Sequence, residues 1–259
     1  MKVVILCGGK GIRLENSNEF IPKAMVKIGP QPMIWNVMKI FSRFGFSDFV
    51  LALGKNGHMV RDYFLNFNNN SNNITISLAD NTVQYLTNNQ EEDWKVTCVE
   101  TGENAGTGAR VSRCQEYLGD SFAVAYADCL SDVDLDAVLE SHIKSGKIAT
   151  ITGVMPPYRY GDFIFEGDEV VDFNEKSLLK SNHGWVNGGF MIFNKEIFNY
   201  LNPFNECVLE NEVFKKLAKD GQINIFKHDG FWQCLDNDRE LAHLNSLYDQ
   251  NLNCWLFNR

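Results

Sequence analysis

The residues best suited to chemistry lie near the amino terminus, where glycines and cations cluster. Cys7-Gly-Gly-Lys-Gly-Ile-Arg13-Leu follows directly on the apolar run Lys2-Val-Val-Ile-Leu6, and Pro22-Lys23-Ala-Met25-Val comes shortly after. Glycines let backbone N–H groups approach a ligand closely, and successive N–H groups in such a turn form a concavity that binds anions. Arg13 and Lys23 add full positive charge. A strand, a glycine turn and two cations predict a phosphate cradle. It matches neither of the two commonest forms. Gly9-Lys10 is followed by Gly11 instead of serine or threonine, and Leu14 stands where the dinucleotide fingerprint has its third glycine. A glycine cluster alone also describes an ordinary turn with incidental surface cations; Lys23 tips the reading to phosphate.

Carboxylates supply the other half of phosphate chemistry. Phe122-Ala-Val-Ala-Tyr126 reads as an apolar strand delivering Ala127-Asp128-Cys129 at its carboxyl end, where open α/β sheets bind ligands. Asp236 closes a second strand-like run, Phe231-Trp-Gln-Cys-Leu-Asp236, so both aspartates could project at one edge. Magnesium prefers one or two carboxylates together with phosphate oxygens and water, which makes the pair candidate Mg2+ ligands. A lone aspartate after a strand is also a common turn former or helix cap. A second glycine loop runs from Thr101-Gly102 to Gly106-Thr107-Gly108-Ala-Arg110 and opens a helix. Such a helix start can contact an anion, and it reads equally well as an ordinary cap. Asp132-Val-Asp134 has the D-x-D form that metal-dependent glycosyltransferases use, yet it also reads as an acidic, capped helix start.

These residues need a scaffold. Met33, Ile34, Val37, Met38, Phe41 and Phe44 recur at helical spacing, predicting a helix from about Pro32 to Arg43 that ends near Gly45. Asp48 to Leu53 reads as a strand and Gly54 to Phe67 as a loop and helix, a βαβ start that predicts a parallel sheet. Asn66 to Asn73 reads as an exposed loop. Ile74 to Leu78 and Trp94 to Val99 alternate like strands, with a polar turn at 88–93. A helix over Leu135 to Ser145 and a strand over Ala149 to Val154 follow. From Pro156 the texture changes to short strands (162–165, 170–174, 185–193) and helices at about 210–219 and 237–250. No repeat or linker interrupts the chain. The expectation is one domain over 1–259, with a nucleotide-binding core at 1–155 and an acceptor-binding, C-terminal part at 156–259.

Composition sets limits. At 259 residues, 44% hydrophobic and 22% charged, the chain has the make-up of an ordinary soluble globular protein with a sizeable core. A net charge of −9 argues against general nucleic-acid or anionic-membrane binding, so any phosphate site must be a local basic pocket. The seven cysteines are scattered and show no C-x-x-C, which suits reduced thiols in the cytoplasm better than disulfides or zinc. The start lacks a signal-peptide h-region with a cleavage site, and no apolar run approaches membrane-spanning length.

Several motifs occur in a specific order: G-G-K-G-I-R-L, P-K-A-M-V, T-G-A-R, the strand ending in Asp128, Glu175-Lys176, Val186-Asn-Gly-Gly-Phe190 and F-W-Q-x-x-D. Together with Pro156-Pro-Tyr-Arg159-Tyr-Gly161 and Glu210-Asn-Glu212 they resemble the bacterial glucose-1-phosphate cytidylyltransferases, within the sugar-nucleotide pyrophosphorylases, over nearly the whole chain. The resemblance implies a Rossmann-like, three-layer α/β fold with a mixed, mainly parallel sheet and a small C-terminal elaboration. It implies CTP and a sugar 1-phosphate as substrates, Mg2+ as cofactor and assembly into homo-oligomers. Leu6, Gly8, Gly9, Gly11, Arg13, Lys23, Thr107 and Arg110 would contact the nucleotide. Glu175, Lys176, Asn187 and Gly188 would hold the acceptor. Asp128 and Asp236 would bind the metal and, with Arg13 and Lys23, form the catalytic set. Trp255-Leu-Phe257 and the asparagine tract could serve an interface, or equally core and surface.

The chain departs from the family pattern around Asp128, where G-D-G becomes Ala127-Asp128-Cys129. Side chains there are expected to narrow the space where backbone meets ligand. Ile12, Ser177 and Asn237 also replace the family's usual residues. These changes touch the acceptor's side, so the acceptor could be another sugar phosphate or small phosphorylated compound.

Overall fold

The apolar run at the start becomes a strand, Lys2–Leu6 (β1), because both of its faces can be buried. Val3 and Ile5 belong to one hydrophobic core, and Val4 and Leu6 to another on the opposite face. Strands covered on both sides read as continuous apolar sequence, not as alternation. The computed structural model describes residues 1–9, 12–13, 20–89, 92–156, 162–166, 169–174 and 184–256; for 12–13, 20, 162–166 and 169–174 it gives the backbone only.

Six further strands complete the central sheet: Asp48–Leu53 (β2), Lys95–Glu100 (β3), Ser121–Tyr126 (β4), Ala149–Val154 (β5), Val186–Asn194 (β6) and Ile223–His228 (β7). Their order is β7-β5-β6-β4-β1-β2-β3. β6 runs antiparallel to β4 and β5, and the other pairings are parallel. Helices Met33–Ser42, Gly57–Leu65, Leu135–Ser145 and Asp238–Asp249 feed the first core, through residues such as Val37, Val60, Val138 and Leu244. Thr107–Arg113 and Phe214–Lys219 feed the second through Val111 and Leu217. The expected three-layer, mainly parallel α/β architecture is present.

Topology selects the site. The chain steps outward from β1 through β2 to β3, then returns to place β4 on the other side of β1, with Leu6 opposite Tyr126. Such a switch point opens a crevice at the carboxyl ends of the strands, the usual ligand position in open α/β sheets. Because β6 is antiparallel, its first residues reach the same edge, with Asn187 opposite Gly153.

Several expectations need correction. The asparagine tract is not wholly loop: Phe67–Ser71 forms a short helix. Thr82–Tyr85 pairs with Ile74–Ser77 as an exposed hairpin. β7 was not expected, because this edge strand mixes polar and apolar residues and is only partly buried. Of the two readings open for Trp255, interface or core, the structure shows core: its indole N–H donates to Asn36 Oδ1 at 3.1 Å and its ring stacks on Phe231. Among the described residues no helix is long and apolar enough to cross a membrane.

Candidate active site

Beyond β4 the chain forms a short ladder. Cys129–Ser131 pairs antiparallel with Trp232–Cys234, and the Leu235 N–H donates to the Asp128 carbonyl at 2.8 Å. This ladder brings Asp128 and Asp236 together across a long sequence separation. Lys23, in a single 3-10 turn (Lys23–Met25), donates to both, at 3.0 Å to Asp128 Oδ2 and 2.7 Å to Asp236 Oδ1. Partial burial by itself lowers the pKa of the Lys23 ammonium. The charge of Asp128 and the hydrogen bonds to both carboxylates outweigh that and hold it above the ordinary lysine value. Two carboxylates that already share one cation at hydrogen-bond distance make a hard-oxygen pair suited to magnesium. The Asp236 N–H donates to Glu240 Oε2 at 2.5 Å, which anchors the loop carrying that carboxylate.

A cavity of about 430 Å³ opens beside this cluster, lined by Leu6, Gly8, Gly9, Lys23, Thr107 and Asp128 among others. The two glycines differ in kind. A Cβ on Gly9 would meet nothing within 4 Å among the described residues, so there is open space beside this glycine. A Cβ on Gly8 would lie 2.0 Å from Arg110 Cζ. The Arg110 guanidinium donates to the carbonyls of Leu53 (3.0 Å), Gly102 (2.8 Å), Gly8 (2.8 Å) and Glu103 (3.2 Å) and to Thr101 Oγ1 (2.7 Å). Arg110 borders the cavity, but its donors clamp the backbone that shapes it. Gly11 and the side chain of Arg13 lie outside the described residues; the Arg13 backbone pairs with Phe20 in a two-residue ladder.

The second loop also differs from its simplest reading. The N–H groups of Gly106 and Ala109 donate to the carbonyls of Asn205 (2.8 Å) and Cys207 (3.0 Å), so these amides at the helix start are taken by protein. This segment offers the cavity the Thr107 hydroxyl, which donates to Glu210 Oε2 at 2.7 Å. Glu210 comes from a π-helical turn, Leu209–Val213, and its other oxygen accepts the Tyr126 hydroxyl. The sequence assigned Glu210 no role, because only the tertiary fold brings it to residues 107 and 126.

At the start of β6, Asn187 Nδ2 donates to the Tyr126 oxygen at 2.9 Å, and the Trp232 indole N–H donates to the Gly188 carbonyl at 2.7 Å. A Cβ on Gly188 would come within 2.7 Å of Val154, so glycine allows β5 and β6 to pack. Glu175 and Lys176 lie outside the described residues. Ala127 lines the cavity as expected. Cys129 does not narrow it: its side chain is buried in the first core, with Sγ 3.5 Å from Asp128 Oδ1. Asp134 caps the helix Leu135–Ser145 by accepting from the Ala137 N–H at 3.0 Å, and Asp132 accepts from the Phe231 N–H at 2.8 Å. The D-x-D is a helix start.

The model of the family described as Nucleotidyl transferase matches residues 2–248. The chain is 35% identical over 256 residues to a probable glucose-1-phosphate cytidylyltransferase of Bacillus subtilis, covering 98% of this chain and 99% of that protein. It is 34% identical over 257 residues to the glucose-1-phosphate cytidylyltransferase of Salmonella typhi, covering 98% of each. In fold it is similar to the crystal structure of HddC from Yersinia pseudotuberculosis, with a TM-score of 0.67 at 22% identity, over 95% of this chain and 99% of that one.

Proposed function

Since the chain belongs to the nucleotidyl transferase family, we propose that it joins CTP to a sugar 1-phosphate, α-D-glucose 1-phosphate first among them, releasing pyrophosphate and a CDP-sugar. The observation that carries this reading is the convergence of Lys23, Asp128 and Asp236 beside the open Gly9 turn at the switch point.

The chemistry asks little of a general base, because a sugar 1-phosphate is already an anionic nucleophile at neutral pH. It asks for two anions brought together, in-line approach to the α-phosphorus and stabilisation of the departing pyrophosphate, which are matters of positioning and electrostatics. In this reading the Gly8–Gly9 backbone and Arg13 receive the nucleotide phosphates, and Lys23 supplies positive charge at the reacting phosphate. Asp128 and Asp236 would hold Mg2+, which when bound neutralises charge on the reacting phosphates. Thr107 faces the nucleotide, with Arg110 fixing the turns around it. Asn187, Gly188, Glu175 and Lys176 take the acceptor. The core cysteine at 129 leaves glucose 1-phosphate as the first acceptor to try.

We also propose that the chain assembles with copies of itself. The hairpin Ile74–Ser77/Thr82–Tyr85 and its flanks expose Ile76, Leu78, Val83, Tyr85 and Leu86, and light scattering of the purified protein would report the assembly. Its seven free cysteines fit a cytoplasmic setting.

The decisive experiment is pyrophosphate release with magnesium, crossing CTP, UTP, dTTP, ATP and GTP against sugar 1-phosphates and other phosphorylated metabolites. Release with CTP and glucose 1-phosphate is expected. Release with CTP and another acceptor alone would correct the sugar, and silence across the panel would overturn the reading.

A further inference from the structure

The cavity's nucleotide side and acceptor side are joined by one chain of hydrogen bonds whose two arms converge on a single carboxylate. At one end the Leu209 N–H donates to Thr107 Oγ1 at 2.9 Å, so the hydroxyl proton is free to go to Glu210 Oε2 at 2.7 Å. At the other end the Gly189 N–H donates to Asn187 Oδ1 at 2.9 Å, fixing the amide so that Nδ2 donates to the Tyr126 oxygen at 2.9 Å. The Tyr126 proton then goes to Glu210 Oε1. Each hydroxyl accepts from an N–H and donates to the same carboxylate. Glu210 is the point where the two halves meet, and Thr107, Tyr126 and Glu210 all line the cavity.

Placement adds weight. Tyr126 is the last residue of β4, immediately before Ala127-Asp128, and its ring packs under Gly189, where a Cβ would lie 2.9 Å from the ring. Gly189 has φ +82°, a conformation that favours glycine, so this contact and the Asn187 turn are locked together. Burial, reinforced by the Glu210 charge, raises the Tyr126 pKa, so the phenol keeps the proton it donates.

We propose that Glu210 is a positioning residue that couples the two substrate sites, setting Thr107 on the nucleotide side and, through Tyr126, Asn187 on the acceptor side. This inference rests on the nucleotidyl-transfer reading above. Occupying either side stiffens the shared carboxylate, so binding of one substrate tightens the other. Coupling between sites is reciprocal and typically amounts to about 5–150-fold in affinity.

The test is steady-state kinetics of the full chain, measuring the apparent KM of each substrate at low and at saturating concentrations of the other. In the native protein each KM is expected to fall as the other substrate saturates. Glu210→Gln keeps the shape but accepts at one oxygen only, and Tyr126→Phe keeps the ring and removes the link to Asn187. Both are expected to make each KM independent of the other substrate. The double variant should lose little beyond either single one, because both break one chain. A purely structural role would lower melting temperature and kcat while leaving the KM dependence intact, and that result would overturn the proposal. Additive losses would do the same. No turnover by the native chain would instead overturn the nucleotidyl-transfer reading and this inference with it.

Discussion

Lys23 occupies the point between two carboxylates that would otherwise repel each other beside the cavity. In the proposed reaction its ammonium would swing from Asp128 and Asp236 to a phosphate without leaving its turn, because a lysine is a compact charge on a flexible stem. Lys23→Ala is therefore expected to lower kcat by ~10²–10³, the usual loss when a charge-stabilising donor is removed. Asp236→Asn should instead raise the magnesium concentration needed for half-maximal rate. Pyrophosphate release over a magnesium titration separates the two; near-normal turnover by Lys23→Ala would sink its assignment. That these three residues meet was legible in the sequence, because the two aspartates each end a strand-like run at one edge and Lys23 follows the glycine turn beside it. Arg110 was legible only as a charge. That its guanidinium clamps the carbonyls of Leu53, Gly102 and Gly8 depends on three separate turns meeting, which no local pattern records.

The turn after β1 is an element held from behind. Gly8 lies against the Arg110 guanidinium, while Gly9 faces open space. Gly8→Ala must displace the guanidinium or the turn, and so loosen hydrogen bonds from a charged donor, each worth ~1.5–3 kcal/mol. A loss of about 3 kcal/mol is expected in urea denaturation. Gly9→Ala should stay within ~0.5 kcal/mol of the native stability while raising the KM for nucleotide. Equal destabilisation by both substitutions would refute this division of labour. Elements buried on both faces were the readable ones: β1, β2, β4 and the helix Met33–Ser42 each announce themselves by apolar runs or helical period. β7 and Thr82–Tyr85 escaped because an edge strand and an exposed hairpin need no such run. The helix Phe67–Ser71 escaped because its asparagines bury nothing, so no periodicity marks it.

Across the whole molecule, the three layers enclose thiols that the folded chain keeps protonated to higher pH than the unfolded chain does. Cys7 and Cys129 lie in one core and Cys114 in the other. Burial pushes the Cys114 thiol from its ordinary 9.0 up to about 12, and burial likewise raises those of Cys7 and Cys129. In the unfolded chain all three ionise near the ordinary value. Between that value and the folded one, the native state therefore binds more protons than the unfolded state, and stability falls as pH rises. The stability these thiols allow is fully present below about pH 9 and is lost progressively above it. Each thiol adds a slope that grows to at most about 1.4 kcal/mol per pH unit once its unfolded form is fully ionised, and the three act in the same direction. A domain stable by ~5–15 kcal/mol cannot absorb that for long. Lys23, whose pKa is also raised, adds to the loss at still higher pH. Urea denaturation at successive pH values should show stability roughly level up to about pH 9 and then a steep decline. In Cys114→Ala the decline should be shallower by at most about 1.4 kcal/mol per pH unit. A native chain whose stability stays flat from pH 9 to 11 would show that these thiols ionise in place, and that the two cores admit water.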